Sequence, residues 1–427
     1  MIPSLLLTIG LLTTSAPTTS GDWPQWRGPN RDGKSNEAGL SLVWPKAGPK
    51  IVWENNNVGT GYGSVAVVGD RVYLLGGKDN KPGSAEFIRC LNAADGKPVW
   101  TTPLDTAAGN FNAGWGGGPR ATPTVADGYV YCLGATGDIV CVTAKDGAKV
   151  WSKNLVKDFG GAIPSWGYSE SVLVDGDNVI CTPGKKTGMI ALNAKTGETV
   201  WSCTEFKDGA GYSSIVPTEI DGVRIYVQQT MASALAVRAK DGKLMFRTGE
   251  IGRLIAVIPS PIVADGYAFF TAGYGAGCEC YKLASDGNGG VQATKVYSKF
   301  RTFENHHGGV IQVGDYIYGH SERGGWTCFA FKNATDEPVW KSGKLGKGSV
   351  SFADGHLFCY EEKNKGTELA VIKATPDGWN EVARMKLPQN TLTDKKNGAV
   401  WAHPVIANGK LYLRDFDLLF CFDIKTP

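Results

Sequence analysis

Apolar residues fall in short runs along this chain. Each run stops at a pair drawn from Gly, Asp and Asn, then resumes with apolar and aromatic residues alternating with polar ones. That period-two pattern is the mark of antiparallel strands joined by tight hairpins. The pairs are Gly69-Asp70, Asp127-Gly128, Asp175-Gly176, Asp221-Gly222, Asp265-Gly266, Gly314-Asp315, Asp354-Gly355 and Asn408-Gly409. Downstream of them a phrase recurs: CLNAADGKPVW from Cys90, CVTAKDGAKVW from Cys141, ALNAKTGETVW from Ala191 and AVRAKDGKLMF from Ala236. In these copies ten positions separate a small first residue from a large aromatic, and degenerate copies begin at Cys280, Ala330, Ala370 and Cys421.

Each unit predicts two strands around the hairpin turn, a third strand that opens the phrase, a second turn, and an outer strand carrying the aromatic. Four antiparallel strands per repeat make a propeller blade, so eight repeats predict an all-β, eight-bladed β-propeller over residues 21–427. The ends of the chain bear on this directly. The copy at Cys421 runs out after its third strand, while KIVW, ending at Trp53, is an outer strand with no blade. If the N-terminal strand completes the last blade, the ring closes and no sheet edge stays open.

Composition narrows the function. With charged residues at 20% and a formal net charge of +3, the chain has no electrostatic footprint for nucleic acid or an anionic membrane. Residues 1–20 carry an apolar stretch from Leu5 to Leu12 followed by small residues, the profile of a secretory signal peptide. That stretch is too short to span a bilayer, so an exported, monomeric protein, periplasmic or extracellular, is expected. Cys90, Cys141, Cys280 and Cys421 take the position that is Ala in other copies, which suits close blade packing. Cys132 and Cys141 flank a turn and are expected to face one another as a candidate disulfide, whereas no Cys-x-x-Cys pair offers a zinc or haem site. His320 and His356 fall within strands and read as structural.

The phrase A-x-D/K-x-G-K-x-x-W, in Ala93 to Trp100, Ala144 to Trp151 and Ala194 to Trp201, resembles the docking motif of the PQQ-like β-propeller repeat family. The segment WPQWRGP, Trp23 to Pro29, is similar to one found in secreted bacterial members. The chain also resembles, more loosely, outer-membrane assembly propellers of the BamB type and quinoprotein alcohol dehydrogenases. The resemblance implies either a non-catalytic binding propeller or an enzyme using PQQ with calcium. Unlike those enzymes, this chain has no adjacent cysteines, Cys278 and Cys280 being the nearest pair.

In a propeller the link between blades crosses one face and enters the central funnel, so residues just before each inner strand converge there. Those positions hold Tyr62, Trp115, Arg120, Trp166, Tyr168, Glu170, Tyr212, Asn305, His306, His307, Lys347, Trp401 and His403. Three readings stay open. The aromatic rings plug the channel; or they line a small-ligand pocket in which Arg120 and Lys347 face an anionic group; or His306, His307, His403 and Glu170 hold a metal. In an extended segment His306 and His307 would point to opposite faces, leaving at most one aimed inward. Calcium needs several oxygen ligands, for which Glu170 and Asn305 are candidates, and Glu170 is also the candidate base. The leading expectation is a scaffold that binds a protein segment or small ligand at its funnel mouth; the alternative is a PQQ-dependent oxidoreductase acting on an alcohol or sugar.

Overall fold

The computed structural model describes residues 21–81, 84–105, 111–249, 251 and 255–425; the expected signal peptide lies outside them. Every described strand belongs to one of eight four-stranded antiparallel sheets. The first blade is built from Ala66–Val68, Arg71–Gly77, Glu86–Asn92 and Pro98–Pro103. The last contains Val405–Ala407, Lys410–Asp415 and Leu418–Asp423, and its outer strand is the N-terminal Lys50–Asn55, paired from Lys50↔Asp423 to Asn55↔Leu419. The ring closes as the repeat count requires.

The hairpin pairs fall at the turns, with one shift. Asp127 and Gly128 both take positive φ, 49° and 81°, as a type I′ turn demands, whereas at Gly69-Asp70 only the glycine does. In the third blade the turn sits on Gly176 and Asp177 rather than on Asp175-Gly176, because Asp175 is the last strand residue, opposite Asn178. There its carboxylate accepts two hydrogen bonds, each 3.0 Å, from the Arg224 guanidinium.

The repeated phrase docks blade to blade. The indole N–H of Trp53 donates to Ala93 O at 2.8 Å, Trp100 to Ala144 O at 3.1 Å, Trp151 to Ala194 O at 2.8 Å and Trp201 to Ala239 O at 2.9 Å. Each ring lies on the glycine of the neighbouring turn: a Cβ on Gly147 would sit 2.5 Å from Trp100, and one on Gly242 2.4 Å from Trp201. Only glycine leaves room for the indole, and it also satisfies the positive φ of the turn. Two copies depart from the expected register. Trp340 lies opposite Cys328, so the small position of the sixth blade is Cys328 and not Ala330. In the seventh, Arg384 stands opposite Ala370, and Trp379 sits outside the outer strand, packed on Trp326 and Trp340.

Cys132 and Cys141 do not face one another. Cys132 is opposite Val140 and Cys141 opposite Tyr131, a one-residue offset that sends the two thiols to opposite faces of the sheet and into different interblade cores. All ten cysteines are free and buried. His320 and His356 lie in strands Tyr316–Ser321 and His356–Glu361.

Each outer strand is an exposed edge, and seven carry the same irregularity: one extra residue, Val99, Val150, Val200, Met245, Val296, Val382 or Val52, slips out of register just before the docking aromatic or, in the seventh blade, Ala383. Such bulges twist a strand away from edge-to-edge pairing.

The axis is filled by Gly21 to Ser35, the segment containing WPQWRGP, which reaches all eight blades. Trp23 and Val67 exchange two main-chain hydrogen bonds of 2.8 Å, and Val125 N donates to Pro24 O at 2.8 Å. The fully buried Arg31 donates to Ser171 O, Val172 O and Ile215 O at 2.6, 3.2 and 2.7 Å. Trp26 Nε1 donates to Ser260 Oγ at 3.0 Å, and Arg27 donates to Val310 O. Ser35 and Gly33 exchange hydrogen bonds of 2.8 Å with Phe352, and Asn408 N donates to Gly21 O at 3.0 Å.

Two outcomes follow from this packing. Trp151→Ala removes a buried indole and its hydrogen bond, and is expected to destabilise by about 3–5 kcal/mol, read as a fall in the urea and thermal midpoints. Arg31→Met strands the Ser171 and Ile215 carbonyls, while Val172 O keeps its hydrogen bond from Thr124 Oγ1, with an expected cost of about 1–3 kcal/mol for each group left unsatisfied, read in the same way.

Candidate functional site

On one face of the ring, the segments leading into the inner strands surround a cavity of about 340 Å³. Its floor is Trp26 of the axial segment, whose ring lies 4.6 Å from that of His403. One wall is a continuous arc of rings. Tyr274 meets His306 edge-on at 4.4 Å, His306 stacks on His307 at 3.7 Å, His307 on Trp401 at 4.8 Å, and Trp401 packs against Tyr62 at 4.7 Å. The Arg120 guanidinium lies 5.1 Å from the Tyr62 ring centre and donates to Gly116 O at 2.9 Å. Opposite stand Trp166 and Tyr212, 5.8 Å apart. The rings wall the cavity rather than cross it.

Arg120, Trp166, Tyr212, His306, His307, Trp401 and His403 thus line one site, with Tyr62 and Trp115. Both adjacent histidines face it, contrary to expectation, because residues 304–309 bend between strands and have no pleat to alternate their side chains. Tyr168 is buried behind the wall, its hydroxyl donating to Pro183 O at 2.8 Å. Asn305 spends its amide on Gly309 O and His320 O, both at 3.0 Å. Lys347 stands one layer back, its Nζ 2.6 Å from His306 Nδ1. Sequence reasoning missed Trp26, Tyr274, Ile255 and Ile258. The isoleucines sit where the same link rule would have placed them, but an apolar IAVIP reads as strand; nothing in the sequence marked Trp26 as a floor.

The charges at the cavity are muted. Burial, with His307 and Lys347 adding to it, pushes His306 down to about 2. Burial also lowers His307, against the opposing pull of Glu362, and burial and Arg27 bring His403 down to about 3. All three imidazoles are neutral at pH 7. Among the described residues no carboxylate lines the cavity, which leaves Arg120 as the charged side chain of that lining.

The family described as outer membrane protein assembly factor BamB is matched over residues 84–342. The chain belongs to that family. It is 22% identical over 219 residues to BamB of Yersinia pestis, covering 51% of this chain and 50% of the relative, so it spans about half the length of that curated protein. The crystal structure of BamB from Moraxella catarrhalis superposes with a TM-score of 0.57 at 14% identity, over 86% of this chain and 95% of that one. Quinohemoprotein alcohol dehydrogenase from Comamonas testosteroni superposes with a TM-score of 0.62 at 12% identity, over 94% and 80%. At such identities these structures speak for the fold alone.

Within this BamB-family propeller Glu170 is not at the cavity. Its Oε2 accepts the Thr182 N–H at 2.9 Å, and burial pushes the carboxyl up to about 8, against the Thr182 contacts and the charge of Arg31. Among the described residues no group of three or more His, Cys, Asp or Glu side chains is placed to hold a metal.

Because the folded state raises the Glu170 pKa above its ordinary value of 4.5, it binds a proton that the unfolded chain has lost. Its contribution is therefore fully present below that ordinary value and disappears as pH rises through about 8. Glu170→Gln, which keeps the acceptor for Thr182, should flatten the decline of the melting temperature between those pH values; an unchanged profile would show that Glu170 does not cause it.

Proposed function

We propose that this BamB-family propeller is an exported binding module whose funnel-mouth cavity receives an apolar or aromatic side chain presented by a protein segment. The observation that carries the reading is a cup walled by aromatic rings, closed below by Trp26, with Arg120 as the charged lining group and no carboxylate among the described residues. A volume of about 340 Å³ is at the small end of ligand sites, suited to one anchoring group or a compact ligand. Around the mouth, Trp115, Ile255 and Tyr274 remain 47%, 60% and 38% exposed, and exposed apolar residues beside a pocket favour a partner surface. The matched relatives are named as assembly factors, which supports a protein partner over a metabolite. The apolar stretch at Leu5 to Leu12 supports export.

The alternative, a PQQ-dependent oxidoreductase, finds less support in the residues present. The aromatic walls would stack on a flat quinone. Calcium, however, needs several oxygen ligands, and neither Glu170 nor Asn305 is among the described residues that line the cavity.

Titration with 1-naphthoate, an aromatic anion used as a probe, should quench tryptophan fluorescence saturably and raise the melting temperature. Trp401→Ala should weaken binding by about tenfold, a stacking loss near 1.4 kcal/mol. A linear, unsaturable response would reject the cup as a binding site. A parallel titration with PQQ separates the two readings: stabilisation that requires calcium would favour the oxidoreductase.

A further inference from the structure

We propose that Tyr274 is the specificity-determining hydrogen-bond donor of the cup, and that it selects an occupant carrying an acceptor oxygen on its flat apolar body. The inference rests on the reading of the cup as a binding site and adds the chemistry of its occupant.

Tyr274 Oη lies 2.7 Å from His306 Nε2, His306 Nδ1 lies 2.6 Å from Lys347 Nζ, and Lys347 Nζ lies 3.3 Å from Glu362 Oε1. An ammonium group donates and never accepts. At 2.6 Å it therefore meets a lone pair on Nδ1, since an N–H there would oppose it. His306 is neutral, so its proton is on Nε2, and Nε2–H donates to the Tyr274 oxygen. The Tyr274 hydroxyl proton is then not used by His306 and is free to donate into the cup that the ring lines. The phenol stays protonated, because burial and the nearby Glu322 raise its pKa.

Glu322 holds the arrangement in place. One of its oxygens accepts the Tyr274 backbone N–H at 2.7 Å, and the other lies 3.0 Å from His306 Nδ1. The two neighbours of Nδ1 make opposite demands. A carboxylate would call the proton to Nδ1 and turn Nε2 into an acceptor, which would consume the Tyr274 hydroxyl; the shorter contact, to Lys347, decides for Nε2–H. With Arg120 on the same cavity and no carboxylate among the described residues that line it, this lining offers donors to an oxygen acceptor and nothing anionic to a cationic ligand.

Two measurements test this. Histidine ¹⁵N NMR of the intact protein should show His306 as the neutral Nε2–H tautomer; a proton on Nδ1 overturns the proposal without any ligand. In fluorescence titrations, Tyr274→Phe should weaken 1-naphthoate by about tenfold, the worth of a hydrogen bond to a charged acceptor, and leave 1-methylnaphthalene unchanged. Equal effects on both probes, or none on naphthoate, overturn the role of Tyr274 while the cup reading stands. If neither probe binds the wild-type protein, the cup reading itself fails.

Discussion

Eight sheets arranged around one axis present eight inner edge strands to the same narrow space, and the main-chain N–H and C=O groups on those edges need partners. Bulk water cannot serve them all in a packed channel. In this propeller the demand is met from within the chain, in part by Ser and Thr hydroxyls of neighbouring blades and in part by Gly21 to Ser35. Within that segment two devices share the work: the main chain bonds directly to the first, second, seventh and eighth blades, while the Arg31 guanidinium spreads its donors over the third and fourth. The same segment supplies Trp26, so what satisfies the channel also turns the funnel into a cup with one entrance.

Frame and site are kept apart by position. The repeated phrase lies on third and fourth strands, where its aromatic residues join neighbouring blades and are committed to backbone acceptors. The cup draws mainly on the links that precede inner strands, whose sequences differ from blade to blade. Variation there changes the lining without touching the docking contacts, which is how one propeller frame supports unrelated functions.

The frame was legible because it is written several times: period-two alternation, hairpin pairs and the Trp phrase each mark the same blades, and the orphan strand at Trp53 pointed to the closure with Cys421. Much of the cup was legible too, since topology alone sends Arg120, Trp166, Tyr212 and Trp401 to one face. What escaped was local register and depth. A one-residue offset separates Cys132 from Cys141, and a bend brings His306 and His307 to one side. Glu170, flanked by the lining residues Ser169 and Ser171, turns away from the cavity. The axial segment could not be read because its partners are main-chain groups scattered from Val67 to Asn408, and a single sequence carries no sign of such contacts.

The N-terminal arm has a bearing on how the molecule is made. Both its tasks, filling the axis and completing the last blade, depend on strands reaching to Asp423, yet it leaves the ribosome before any blade does. The first described segment to be synthesised is thus among the last to find its place. Contacts of such sequence separation slow folding, and the incomplete ring exposes its inner edges meanwhile. The entropic penalty of closing so long a loop rises only logarithmically with length, so the delay is kinetic rather than a lasting loss of stability. Docking of the arm then serves as a test of completion: a chain lacking Leu418–Asp423 offers Lys50–Asn55 no strand to pair with.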